Sequence, residues 1–301
     1  MKVLITGGAG FIGHNLALLL KSSGFKVIVL DNLERATNFA LSRLSDVKII
    51  KGDVNSNAIK KALDNVDLVI HAAAYISVSE SIRKPHMYFR NNVLGTLNVV
   101  KSCLDKNVRR LMFISSAAVY GEPKFLPISE EHPTNPITPY GLTKLMGEDT
   151  VKLYARYGLN YVIIRLFNVY GPGQNMDYAG VVTRFIKRIK ENKPPVIYGD
   201  GLQTRDFIHV LDVAQAVKQI MDRGIENETI NIATGKPTTI RELAKLIIKL
   251  AGRNYEPIYT KTRLGDIRQS YADITKARKL LGFEPRITLE NGLRELLAHY
   301  I

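Results

Sequence analysis

Short, almost continuously apolar runs recur through the first half of the chain, at Lys2–Thr6, Lys26–Leu30, Val47–Ile50, Leu68–His71, Arg110–Ser115 and Tyr161–Arg165. Runs of this length without polar alternation predict strands buried on both faces of a parallel sheet. Between them, Ile12–Ser22, Asn57–Leu63, Met87–Leu104 and Gly141–Tyr157 have helical length. Strand and helix in alternation predict βαβ units, and so an α/β fold around a doubly wound parallel sheet.

After Arg165 the rhythm changes. Loops rich in Gly, Pro and Asn appear at Asn168–Asn175, Pro194–Pro195 and Gly199–Gly201, followed by helical patterns at Ile240–Ala251, Ile274–Leu281 and Leu289–Ala298. This predicts a smaller, mixed α/β part covering the sheet's carboxyl edge. The division expected is 1–165 plus about 197–225 for the larger part, and about 166–196 plus 226–301 for the smaller. A cleft between the two is where a ligand is expected.

Composition narrows the class. Of 301 residues, 46% are apolar and 23% charged, which is ordinary for a globular chain that buries its own core. The single cysteine, Cys103, sits in an apolar run and reads as a small core residue; no internal disulfide can form, which fits a reducing, cytoplasmic compartment. No apolar stretch is long enough to predict a membrane span. The first 20 residues loosely imitate a signal peptide, but four glycines interrupt them and no small-x-small cleavage site follows. The net charge of +14 raises the question of nucleic acid, yet Lys and Arg are scattered, and no basic stripe interleaved with aromatics stands out. A solvated basic surface is expected, with no nucleic-acid partner. No His, Cys, Asp and Glu set has metal-ligand spacing, and His71 and His209 read as structural.

Val3-Leu4-Ile5-Thr6-Gly7-Gly8-Ala9-Gly10-Phe11-Ile12-Gly13 puts glycines directly between a strand and a helix. Gly8, Gly10 and Gly13 satisfy G-x-G-x-x-G; Gly7, Gly10 and Gly13 satisfy the wider G-x-x-G-x-x-G. Glycine permits a tight turn and lets backbone N–H groups touch a pyrophosphate, to which the helix N-terminus adds partial positive charge. Ordinary turns can produce such a pattern, but the context is specific. The second strand ends at Asp31, eighteen residues beyond Gly13, where an acid can bind ribose hydroxyls. A carboxylate there repels a 2′-phosphate, which favours NAD over NADP, although Arg35 stands close by.

Tyr140-Gly141-Leu142-Thr143-Lys144 places a phenol and an ammonium four residues apart, on one helical face. A free tyrosine has a pKa of about 10, too high for a base at neutral pH, and a fixed cation nearby favours its phenolate. Upstream, Leu111-Met112-Phe113-Ile114 leads into Ser115-Ser116-Ala117-Ala118-Val119-Tyr120-Gly121. Hydroxyls at the carboxyl end of a buried strand stand where ligands bind in such sheets, though either serine could simply cap the turn.

The chain as a whole resembles the extended short-chain dehydrogenases/reductases, in particular UDP-glucose 4-epimerases and related NAD-dependent epimerases and dehydratases. The resemblance rests on Thr6–Gly13, Asp31-Asn32-Leu33, Gly52-Asp53-Val54, His71–Ala74, Asn91-Asn92-Val93 with Gly95-Thr96, Ser115–Gly121 and Tyr140–Lys144. It continues through Asn168–Pro172, Tyr198–Gly201, Arg205–Val210 and Gly265-Asp266-Ile267. It implies a Rossmann-type NAD-binding part and a nucleotide-sugar-binding part. In that likeness Gly7, Gly10, Phe11, Ile12 and Gly13 line the pyrophosphate, and Asp31 with Asn32 holds the adenosine ribose. Asp53 and Val54 contact adenine, while Ala72, Ala73, Ala74, Asn91 and Ser115 line the rest of the cofactor. Tyr140 is the implied base, Lys144 tunes it and holds the nicotinamide ribose, and Ser116 bonds the reacting hydroxyl. Asn168, Tyr198, Arg205, Arg263, Asp266 and Ser270 are the implied sugar-nucleotide residues.

The activity implied is NAD-dependent 4-epimerisation of a UDP-hexose, UDP-glucose and UDP-galactose first, in a homodimer built across Met87–Leu104 and Gly141–Tyr157. Dehydratases of the family carry an acid where this chain has Ala117-Ala118, which disfavours dehydration. A UDP-glucuronate epimerase or decarboxylase and a non-catalytic NAD-binding regulator are the alternatives; intact Ser116, Tyr140 and Lys144 argue against the last. Ser270 is small at a position near the sugar, which predicts acceptance of N-acetylated hexoses. The loop Gly173–Ala179 reads as short for the family.

Overall fold

The computed structural model describes residues 1–175, 178, 180–262 and 266–301. The first half alternates as foreseen: β1 (Lys2–Thr6), α1 (Phe11–Ser22), β2 (Lys26–Asp31), α2 (Asn38–Arg43), β3 (Lys48–Lys51), α3 (Ala58–Ala62), β4 (Leu68–His71), α4 (Val78–Arg83), α5 (Pro85–Tyr88), a wide π turn over Phe89–Leu94, and α6 (Gly95–Asp105). Then come β5 (Arg110–Ser116), a 3-10 turn over Ala117–Val119, α7 (Pro139–Ala155), β6 (Asn160–Leu166) and β7 (Asn168–Tyr170). The remainder is α8 (Val181–Lys190), β8 (Val196–Tyr198), β9 (Thr204–His209), α9 (Val210–Asp222), β10 (Glu228–Ile232), β11 (Pro237–Thr239), α10 (Ile240–Leu250), β12 (Ile258–Thr260), β13 (Gln269–Ser270), α11 (Thr275–Leu281) and α12 (Leu289–Tyr300).

Seven strands form one parallel sheet in the order β10-β6-β5-β4-β1-β2-β3. Successive side chains of a strand face opposite ways, and β1 divides accordingly. Val3 and Ile5 join the apolar layer against Leu16 and Leu20 of α1 and Val213 and Val217 of α9; Leu4 joins the opposite layer with Val99 and Cys103 of α6 and Val151 of α7. Both faces are therefore covered, which explains runs with no polar alternation. Cys103 is buried there, its thiol pushed up to about 12 by that burial, as an inert core residue. A third core joins α8, α10 and α12 through Phe185, Ile247 and Leu296. Among the described residues, no helix is long and apolar enough to cross a membrane.

Three expectations change. Met87–Leu104 is helical throughout, as expected, but not uniformly α: Pro85 starts α5, and a π-wound stretch at Phe89–Leu94 runs directly into α6. Asn92 lies in the π-wound stretch, where its amide accepts from Tyr75 N–H and donates to Thr143 Oγ1, contacts made across the fold rather than along the helix. The expected boundaries also shift at three strands. β10, placed with the smaller part, is an edge strand of the large sheet, whereas β8 and β9, placed with the larger part, lie in the small sheets β12-β8 and β11-β9-β13. Helix α9, not foreseen, joins the layer beside α1.

Candidate active site

The chain turns back sharply after β1. Gly7 takes φ +67°, and a Cβ there would lie 2.6 Å from the backbone of Ala73. At Gly13 a Cβ would collide with the carbonyl oxygen of Gly7. Glycine is needed at both positions because strand, turn and helix approach so closely. Gly10 caps α1 in an extended conformation with no side-chain hydrogen bond, and the helix's first turn carries no acid. An N-terminus with open amides and no competing carboxylate suits a phosphate.

At the end of β2, the two oxygens of Asp31 are oriented by backbone amides: Ala9 N–H donates to Oδ2 at 2.9 Å and Leu33 N–H to Oδ1 at 2.8 Å. Burial pushes its pKa up, and those two amides oppose the rise. Each carboxylate oxygen retains further acceptor capacity for a ribose hydroxyl. An open cleft with about 1060 Å³ of empty space follows the carboxyl ends of β1 to β4. Gly7, Gly10, Phe11, Ile12, Gly13, Asp31, Asn32, Asp53, Val54, Ala72, Ala73, Ala74 and Asn91 all line it. The glycine cradle, the helix terminus and the oriented acid together fit NAD. Gly173, Gln174 and Asn175 line it as well and were missed, because nothing local to that loop signals contact with residues so distant in sequence.

Ser116 ends β5, and Thr138 caps α7 by accepting the Gly141 N–H at 3.1 Å, with Pro139 in the first turn. Tyr140 and Lys144 are both buried. The lysine ammonium donates to the Ile114 carbonyl at 2.8 Å and lies 5.0 Å from the centre of the Phe113 ring. Burial lowers the Lys144 pKa to about 8, against the attraction of Glu148. Burial raises the Tyr140 phenol, and hydrogen bonding with Ser116 works against that. Ser116 Oγ accepts the Ala118 N–H at 3.1 Å, leaving its own proton to donate.

This helix is tied to the cleft. Asn91 Nδ2 donates to Asn92 Oδ1 at 3.0 Å, and Asn92 Nδ2 donates to Thr143 Oγ1 at 3.1 Å, between the tyrosine and the lysine. His71 stands between Thr6 and Thr96, with ring nitrogens at 2.7 and 3.0 Å from their hydroxyls. Burial first, then the Lys144 charge, lowers its pKa to about 3, so it is neutral and structural.

Ser115, Ser116, Tyr140 and Lys144 all lie outside the lining of the cleft itself. The two serines differ in their bonding: the Ser115 hydroxyl donates to Glu148 Oε1 at 2.6 Å inside the protein, which commits it away from a cofactor. Glu148, fully buried, also accepts from Arg165 Nη2 at 2.7 Å and Nε at 3.0 Å; Arg165 Nη1 donates to Tyr120 Oη at 3.0 Å, and Tyr120 Oη donates to Asn231 Oδ1 at 2.7 Å. Sequence reasoning missed this network, though Glu148 lies four residues past Lys144 on the same helical face.

The other expected residues gather behind β9. Arg205 donates to the Thr204 and Ile267 carbonyls, each at 2.7 Å, and pairs with the Asp266 carboxylate. Ser270, buried, sits beside Arg205 in the parallel β9–β13 ladder, and Asn168 pairs with Phe207 in β7–β9. Tyr198 and Asp266 line a second, open hollow with Thr262 and Arg268. Arg263 lies outside the described residues, as does part of the Gly173–Ala179 loop. Asp206, next to Arg205, spends its carboxylate on Thr234 and Gly235 N–H at 2.8 Å each and on Thr234 Oγ1 at 2.6 Å. It locks β9 against the loop after β10.

Residues 3–233 match the NAD-dependent epimerase/dehydratase family. The UDP-glucose 4-epimerase of Mycolicibacterium smegmatis is 35% identical over 308 residues, covering 100% of this chain and 98% of that protein. The crystal structure of UDP-glucose 4-epimerase from Thermotoga maritima with UDP-glucose superposes with a TM-score of 0.95 at 36% identity, over 99% of this chain and 98% of that one. The UDP-N-acetylglucosamine 4-epimerase of Methanobrevibacter ruminantium gives 0.93 at 36% identity, over 99% and 97%.

Proposed function

The chain belongs to the NAD-dependent epimerase/dehydratase family, and on that premise we propose that it inverts C4 of a UDP-hexose, interconverting UDP-glucose and UDP-galactose through a transient 4-keto sugar. The observation carrying this reading is the set Ser116, Tyr140 and Lys144 at the carboxyl end of β5, tied through Asn92 and Asn91 to a cleft that fits NAD.

When bound, NAD supplies hydride acceptance and return. Burial opposes ionisation of Tyr140, so the phenolate needs the nearby Lys144 ammonium and the positive charge that bound NAD would bring. In that form Tyr140 takes the proton of the C4 hydroxyl, and Ser116 donates its proton to the same oxygen. The Lys144 ammonium, aimed by the Ile114 carbonyl, provides positive charge beside the reacting groups in a site where burial makes charge count. Once the ketone has presented its other face, Tyr140 gives the proton back to the C4 oxygen. Arg205 stands as the cation for the diphosphate, held at one register by two backbone carbonyls and Asp266. Ser270, small and paired with Arg205 in the β9–β13 ladder, supports the N-acetylated pair as a second substrate.

We place the active form as a homodimer. Leu142, Met146, Leu153 and Tyr157 are exposed along one stripe of α7 and its end, and Ile82 of α4 is exposed as well. Parallel incubation with UDP-galactose, UDP-N-acetylgalactosamine and UDP-glucuronate, followed by product separation, tests the reading. The 4-epimers of the first two are expected. A pentose product from UDP-glucuronate with no epimer of the hexoses would replace epimerisation by decarboxylation.

A further inference from the structure

The adenosine end of the cleft contains a cation that the proposed chemistry does not use. Arg35 lies four residues beyond Asp31 and lines the same cleft. Its guanidinium is clamped, 4.1 Å from the centre of the Tyr75 ring and 3.9 Å from that of Tyr178. Nη2 donates to Glu80 Oε2 at 2.6 Å. Glu80, in turn, is held by the Tyr88 hydroxyl at 3.0 Å and by Lys84 at 3.9 Å, with only 12% of its side chain exposed. Arg35 Nη1 is buried with no acceptor among the described residues, so one donor is still in reserve.

An arginine at this distance from the ribose acid is the group that would ordinarily receive a 2′-phosphate, since a guanidinium fits phosphate oxygens in pairs. Here the opposite charge has already been supplied from inside the protein. Asp31 and Asp53 add two more carboxylates to the cleft, and Glu34 accepts the Tyr75 hydroxyl at 2.7 Å at its edge. A phosphate dianion entering there would find at most the one free Nη1 donor, on a guanidinium whose charge Glu80 already balances, among further acids.

We propose that Glu80 is a specificity-determining residue for the cofactor: by claiming Arg35 it withholds the cation that would otherwise admit a 2′-phosphorylated nucleotide. This rests on the reading that Asp31 holds the adenosine ribose. Glu80 acts on the nucleotide only through Arg35, whose stacked position between two tyrosines survives its loss and keeps the guanidinium in the cleft.

Binding, not turnover, tests this. Full-length protein is titrated calorimetrically with 5′-AMP and with 2′,5′-ADP, as wild type, Glu80→Gln, Arg35→Gln and the double variant. Wild type should favour 5′-AMP. Glu80→Gln should shift the ratio of the two affinities toward 2′,5′-ADP by about tenfold or more, the worth of one charge-assisted hydrogen bond. The double variant should return the ratio to the wild-type value, and Arg35→Gln alone should leave it unmoved. The last arm stands even if Glu80→Gln misfolds: a fall in relative 2′,5′-ADP affinity of about tenfold in Arg35→Gln would mean that Arg35 already reads the phosphate, and would overturn the proposal. Folded Glu80→Gln with normal 5′-AMP binding and an unmoved ratio would overturn it alone. Wild-type protein binding neither nucleotide would overturn it together with the assignment of the cleft.

Discussion

Lys144 Nζ donates to the backbone carbonyl of Ile114 at 2.8 Å, so the strand that delivers the serines also aims the ammonium. The pairing places a charge in a buried site, where desolvation lowers the lysine pKa to about 8. Above that pH the ammonium is lost, and activity should decline through an alkaline limb near pH 8. Lys144→Arg should move that limb upward while reducing the rate. The stability consequence has the opposite sign. Between about 8 and the ordinary 10.5, the unfolded chain holds the proton that the folded chain has released. Stability contributed at this position therefore rises with pH across that window. Urea midpoints of wild type and Lys144→Met measured from pH 7 to 10 should converge or cross as pH rises; a constant difference would contradict the assignment.

Glu148 and Arg165 form a buried pair at 2.7 Å, with Ser115 and Tyr120 satisfying their remaining groups. Glu148→Ala strands a buried guanidinium and should cost about 3–5 kcal/mol, read as a lowered urea midpoint. Ser115→Ala removes only one hydrogen bond, at a cost of about 1 kcal/mol, and should leave NAD affinity unchanged. A large loss of NAD binding in Ser115→Ala would restore that hydroxyl to the cofactor.

Gly13 sits where a Cβ meets the Gly7 carbonyl. Gly13→Ala should push α1 away from the turn, an overpacking cost of about 1–3 kcal/mol, and weaken NAD binding by about tenfold or more. Gly24, at φ +88° with nothing within 4 Å of an added Cβ, is the control: alanine there strains the backbone without touching the loop. Comparable NAD affinities for Gly13→Ala and Gly24→Ala would contradict a tight phosphate loop.

Leu153 is 51% exposed and Tyr157 64% exposed on the stripe that begins with Leu142 and Met146. Apolar residues aligned on one helical face mark a partner surface. Leu153→Glu combined with Met146→Lys should convert a dimer to a monomer in sedimentation velocity without loss of helical signal. Wild-type protein sedimenting as a monomer at micromolar concentration would contradict the homodimer.

Legibility in the sequence followed physical locality. β1 and β4 were readable to the residue because both faces are buried and turns bound the runs. The glycine loop, Asp31, Tyr140 and Lys144 were readable because their geometry is set within one turn or one helix. The strands β7 to β13 were not: those outside the large sheet are two to six residues long and exist only through pairing with distant segments. The π turn escaped as well; the Asn92 side chain within it is held by Tyr75 and Thr143, across the fold. Ser115 and Ser116 are adjacent and chemically identical, yet strand alternation sends one hydroxyl to Glu148 and leaves the other at the site. Only the carboxylate behind the sheet distinguishes them.

The most direct measurement follows the hydrogen at C4. UDP-galactose carrying deuterium at C4 is incubated with wild-type protein and with Tyr140→Phe, and the product is analysed by mass and by NMR. The account predicts UDP-glucose that retains the deuterium at C4, and a rate reduced about 10²–10⁴-fold when the phenol that moves the proton is absent. UDP-glucose with the label washed out into solvent, or formed equally fast by Tyr140→Phe, would contradict it.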